Sequence, residues 1–124
     1  MDRNEMFGEF FKRKRKELGF TLRGFCQKYG LDPGNLSRIE RGLAPPPQGR
    51  KLLLQYAGFI GLKPETDEWY EFYDLAYAAS GRIPKEIMDN NELTKKLPIV
   101  FRTLRGQKVP DEKLDDLIKL IKES

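Results

Sequence analysis

Apolar residues along this chain recur at helical rather than alternating spacing, and glycines and prolines cut the pattern into short segments. Phe7, Phe10, Phe11 and Leu18 form the first stripe. Lys14 shares its face, where the aliphatic stem can cover apolar surface, and Gly19 closes the helix. Thr21 is a good N-cap for a second helix with Leu22, Phe25 and Cys26 inward, stopped by Tyr29 and Gly30. In the third, Asp32 caps and Pro33 suits a first turn whose N–H would go unpaired anyway. Leu36 and Ile39 face inward, and Gly42 supplies a left-handed exit.

Ala44, Pro45, Pro46 and Pro47 make a stiff link that delays the next helix to about Gln48–Ile60. Leu53, Tyr56, Ala57 and Ile60 lie on one side of it, and Gly61 ends it. A fifth helix sets Trp69, Phe72, Tyr73, Ala76, Tyr77 and Ser80 on one face. Glu65, Asp67, Glu68, Glu71 and Asp74 crowd its first turns, near the positive end of the helix dipole. Gly81 and Pro84 break the chain again. Pro98 disfavours helical geometry at Leu97, which predicts a clean helix from about Pro98 to Arg105 carrying Val100, Phe101 and Leu104. Leu114, Leu117, Ile118 and Ile121 form a further stripe, and the short link at 106–110 predicts an αα-hairpin too small to stand alone. The expectation is an all-α fold.

Composition narrows the function. The 124 residues suffice for one compact domain, or a small domain with an appended one. The chain holds no apolar run of roughly 18 residues, and its N-terminus lacks the apolar core of a signal peptide, so a soluble cytoplasmic protein with no membrane association is expected. Cys26 is the single cysteine, expected as a small apolar residue between helices. With no histidine, Ser-His and Cys-His catalysis and imidazole zinc sites are excluded, and no acidic cluster has the spacing of a calcium loop. The expectation is a non-enzyme with no catalytic residue, no metal and no cofactor. The net charge of +4 is uneven: residues 1–51 carry +6 and residues 52–124 carry −2. A basic front half suits a polyanionic partner.

Two helices joined by the tight Tyr29–Asp32 turn, the second polar outside, form the arrangement in which a recognition helix enters the DNA major groove. Pro33 and Gly34 keep that helix's N-terminus free of bulk, so its N–H groups can approach a phosphate. Asn35, Ser37, Arg38 and Arg41 lie away from Leu36 and Ile39. Asn pairs with adenine N6 and N7, Arg with guanine O6 and N7, and Ser with either. Arg41, a turn further along, suits a phosphate better than a base.

The stretch FGEFFKRKRKELGFTLRGFCQKYGLDPGNLSRIERG resembles the Xre/Cro type of helix-turn-helix found in phage repressors, bacterial regulators and antitoxins. The match runs G-F-T-L-R-x-F-C-x-x-Y-G-L-D-P-x-N-L-S-x-I-E-x-G, with cap, turn glycine, core positions and terminal Glu-x-Gly in register. The resemblance implies a lambda-repressor-like five-helix bundle, binding double-stranded DNA as a homodimer on a palindromic operator. It also implies an ion pair between Arg15 and Glu40, and a backbone grip by Gln48, Arg50 and Lys51. Thr21 stands at the helix-2 cap. The family often carries Gln directly after that cap; Leu22 stands there instead, with Arg23 as the nearest replacement. Pro33 and Gly34 hold positions that read bases in some relatives, which shifts weight toward DNA shape.

The organisation expected is therefore a DNA-binding core over residues 1–62. Residues 63–124 would be a helical extension, ending in the hairpin, for core completion, dimerisation or a protein partner docking on residues 65–124. The leading expectation is a sequence-specific regulator, a dimeric repressor of an inverted repeat. The alternative is a HigA-like antitoxin that neutralises a small basic toxin and autoregulates its operon.

Overall fold

Five of the helix starts among the described residues are written by capping side chains. The computed structural model describes residues 1–83 and 85–106, together with Asp111, Asp115, Asp116, Ile118 and Lys119. Among them it is all-helical: α1 (Arg3–Glu17), α2 (Leu22–Tyr29), α3 (Pro33–Glu40), α4 (Arg50–Phe59), α5 (Asp67–Ser80), α6 (Lys85–Met88) and α7 (Asn91–Leu104). Asp2, Thr21, Asp32, Thr66 and Asn90 each accept a first-turn N–H, at 2.8, 3.0, 2.8, 3.3 and 3.1 Å. Such caps contribute about 1 kcal/mol apiece.

The helices fall into two compact units, Met1–Arg82 and the residues from Ile83 onward. In the first, α1 lies against both α3 and α5. Phe7, Phe11, Phe25 and Phe72 are fully buried at its centre. Phe7 meets Phe72 at 5.3 Å between ring centroids, and Phe11 meets Phe25 edge-on at 5.7 Å. Leu36 and Ile39 of α3, and Leu53, Tyr56, Ala57 and Ile60 at α4, close the core. The α5 aromatics therefore complete the core of the first unit.

Several expectations shift in detail. Leu18 is exposed, because it is the C-cap of α1 and lies past the last turn of the stripe. Ser80 is also exposed, its hydroxyl donating to the Tyr77 carbonyl at 2.8 Å, while Ala79 takes the buried place. The fourth helix begins at Arg50 rather than Gln48: Gly49 adopts φ 92°, and the Gln48 amide folds back onto the Pro46 carbonyl at 3.0 Å. Lys14 is half-buried as expected, but its ammonium also pairs with Glu68 at 2.9 Å and Glu17 at 3.0 Å.

In the second unit α7 runs through Pro98 instead of beginning there. Asn90 starts it early, and the chain accepts the loss of one N–H, which leaves the Thr94 carbonyl without its usual donor. Leu114, Leu117 and Ile121, and with them the proposed hairpin, lie outside the described residues. No helix among the described residues is long and apolar enough to cross a membrane.

Candidate nucleic-acid interface

The site is built from how α3 is held. Gly30, at φ 68°, ends α2 with its N–H on the Cys26 carbonyl, and Leu31 N–H bonds the same carbonyl at 2.9 Å. That geometry compresses the α2–α3 link to Gly30, Leu31 and Asp32. Leu36 is 1% exposed and Ile39 4%, so the inner face of α3 is fixed to the core.

Its C-terminal end is held by α1. A Cβ on Gly8 would lie 2.6 Å from the Glu40 carbonyl oxygen and nearer still to that of Ile39. Only a glycine lets the two backbones approach so closely. Gly42, at φ 74°, abuts Glu5 of α1 in the same way, with a virtual Cβ 2.9 Å from the Glu5 Cα. Beside these contacts the Arg15 guanidinium donates from Nε and Nη2 to the two Glu40 carboxylate oxygens, both at 2.8 Å, and from Nη1 to the Phe20 carbonyl at 2.7 Å. Both side chains are 5% exposed. The bonds to Glu40 raise the Arg15 pKa above its ordinary value, against the opposing effect of burial. The adjoining Cys26 thiol is pushed up by burial first and by Glu40 second, so it stays protonated and inert at neutral pH.

On the outer side Asn35 and Arg38 are exposed one turn apart, and neither side chain is hydrogen-bonded or ion-paired among the described residues. Pro33, Gly34 and Arg41 are exposed too, whereas Ser37 is half-buried at the edge of the inner face. The expected outward set therefore divides: Asn35 and Arg38 project freely, and Ser37 only in part. Arg41 caps its own helix, its Nε donating to the Ser37 carbonyl at 3.3 Å.

The phosphate expected at the start of α3 meets an obstacle. The Asp32 carboxylate already takes the Asn35 N–H, placing a negative charge at that terminus, and Pro33 has no N–H to offer. Pro33 and Gly34 consequently provide an unobstructed end but a poor anion seat. Thr21 and Arg23 are exposed at the start of α2, with the Thr21 hydroxyl engaged as a cap. Gln48 is tied to Pro46, while Arg50 and Lys51 are exposed on the first turn of α4.

Gly8 and Gly42 were not legible as site residues, although a lone glycine inside the apolar stripe Phe7–Phe11 is the usual sign of close packing. Among the described residues no group of three His, Cys, Asp or Glu comes together to hold a metal. Comparison with protein-family models, with curated proteins and with solved structures finds no match.

Proposed function

We propose that this chain is a sequence-specific DNA-binding transcriptional regulator, a repressor of the Xre/Cro helix-turn-helix type, in which α3 enters the major groove. The observation that carries the reading is the division of α3. One face is locked by Leu36, Ile39, Gly8 and the Arg15–Glu40 pair, and the other presents Asn35 and Arg38 without partners. A short helix cannot hold such exposed donors in fixed directions by itself; it needs a rigid platform, and α1 supplies one. The +6 charge of residues 1–51 supports approach to a polyanion. A two-fold dimer would set two such helices about 34 Å apart, one turn of B-DNA, and read an inverted repeat.

The test is binding of the purified chain to its own upstream DNA and to scrambled DNA over a salt series, beside an Asn35→Ala/Arg38→Ala variant. Each bidentate base contact contributes roughly 1–3 kcal/mol of discrimination, so the double variant should lose about thirtyfold or more in preference. It should keep salt-sensitive nonspecific binding. Equal affinity of the wild type for both DNAs overturns the reading for that operator.

A second reading, a HigA-like antitoxin, is favoured by α5. Its outer side exposes Asp67 and Glu71 with Tyr70, a surface suited to a small basic partner. Co-expression with the product of an adjacent gene tests it: a stable complex that an α5 Glu71→Lys change abolishes supports this reading.

A further inference from the structure

We propose that the hollow between the start of α4 and the end of α5 binds a phosphate group. The hollow measures about 50 Å³ and is lined by Arg50, Arg82, Gln48 and Ser80 over a floor of Leu53 and Ala76. One water needs roughly 10–15 Å³ of such space, so the hollow has room for several heavy atoms, as in a tetrahedral oxyanion.

Its chemistry points to an anion. Two arginines from different helices line one small space, no carboxylate lines it, and neither arginine is ion-paired among the described residues. Each is put there by a glycine. Gly49, at φ 92°, turns the chain into Arg50. Gly81, at φ 73°, folds the chain back so that the Arg82 N–H bonds the Tyr77 carbonyl at 2.9 Å, holding Arg82 against the end of α5. Of the other polar side chains on the lining, Ser80 donates to the Tyr77 carbonyl and the Gln48 amide to the Pro46 carbonyl, while Tyr77 adds a phenol that can also donate to an anion. Charge recognition falls to the two guanidiniums, whose planar forks match phosphate oxygens. The phosphate comes either free in solution or as part of a nucleic-acid backbone, and the site stands whether or not α3 reads DNA.

The test follows the backbone amides of the full chain by NMR while inorganic phosphate is titrated against chloride at constant ionic strength. Saturable shifts at Gly49, Arg50, Ser80 and Arg82 with phosphate, absent with chloride, are expected. Arg50→Ala and Arg82→Ala, both at exposed positions, should each weaken binding about tenfold or more with an unchanged circular dichroism spectrum. Shifts that never saturate, that chloride reproduces, or that survive both substitutions at unchanged affinity overturn the proposal. A short DNA duplex then identifies the source. Loss of bound phosphate on adding duplex assigns the seat to the backbone, and retention assigns it to free phosphate.

Discussion

Removing one partner of the Arg15–Glu40 pair should cost far more than removing both. In Arg15→Met the Glu40 carboxylate is left at 5% exposure with its two 2.8 Å donors gone, and in Glu40→Leu the guanidinium keeps only the Phe20 carbonyl. A buried charge stripped of its partner typically costs about 3–5 kcal/mol. In the double variant no charge is stranded, and apolar side chains of similar volume fill the space. What is lost is the bond to the Phe20 carbonyl, about 1–2 kcal/mol. The two single losses should thus sum to about 6–10 kcal/mol, against about 1–2 kcal/mol for the pair, a coupling of at least ~4 kcal/mol. Native domains are stable by only about 5–15 kcal/mol, so either single variant should sit close to unfolding. Urea unfolding followed by Trp69 fluorescence and far-ultraviolet circular dichroism measures all four corners. Trp69 is a suitable reporter because it is half-buried and its ring centroid lies 4.6 Å from that of Tyr73 on α5. Single variants that lose less than about 1 kcal/mol, with an additive double, would refute the argument and mark the pair as a solvent-screened surface contact.

Gly8→Ala sets two effects against each other: alanine gains about 0.5–1 kcal/mol of helix propensity, but its Cβ must displace the backbone carbonyls of Ile39 and Glu40. Overpacking against rigid backbone costs about 1–3 kcal/mol or more, so the urea midpoint should fall; Gly58→Ala, with nothing within 4 Å of its Cβ, should raise it. Cys26 is 1% exposed with its thiol pushed up by burial, so iodoacetamide should label it only after denaturant unfolds the chain; rapid native labelling would contradict the core placement. The Lys14 ammonium is raised chiefly by its bond to Glu68, and burial raises the Tyr56 and Tyr73 hydroxyls. All three groups are protonated more firmly in the folded chain than in the unfolded one. Their contribution is thus full below about pH 10, where the unfolded groups titrate, and lost as pH rises through their higher folded values. Thermal unfolding should show a midpoint that does not depend on these groups near neutrality and falls above about pH 10, less steeply in Tyr73→Phe.

How much of this was legible in the sequence depends on whether the signal is local. Thr21 and Asp32 act within three residues of themselves, so the caps and the boundaries of α2 and α3 could be read directly. The inward residues of α3 and α4 followed from periodicity for the same reason. Pro98 misled because its local preference was set against a start signal, Asn90, whose bond to Leu93 opens the helix a full two turns earlier. The weakest inference was the anion seat at α3. Asp32 was recognised as a cap, but the same carboxylate places its charge where a phosphate would stand. Gly8 and Arg82 were missed for a different reason: their roles appear only when α1 meets α3 and when α5 ends beside α4, contacts that no spacing rule records.

These non-local contacts explain why α1, which carries none of the proposed base-reading groups, governs the geometry of the helix that does. Three of its residues fix the C-terminal end of α3 by different physics: Gly8 by close backbone approach, Glu5 by contact with Gly42, and Arg15 by charge-assisted hydrogen bonds to Glu40. Any one of them leaves α3 some freedom to slide or tilt, whereas together they restrain it in translation and rotation. The opposite end is held differently, through the Cys26 carbonyl and the Asp32 cap, both local to the α2–α3 turn. Asn35 and Arg38 lie between two anchored ends, and although their backbones join the turns at those ends, their side chains take no part in either anchor. Stability and the proposed readout should therefore be separable: substitutions at Asn35 and Arg38 should leave the core undisturbed, while a single methyl group added at Gly8 should displace the backbone at the end of α3 and with it the proposed reading surface.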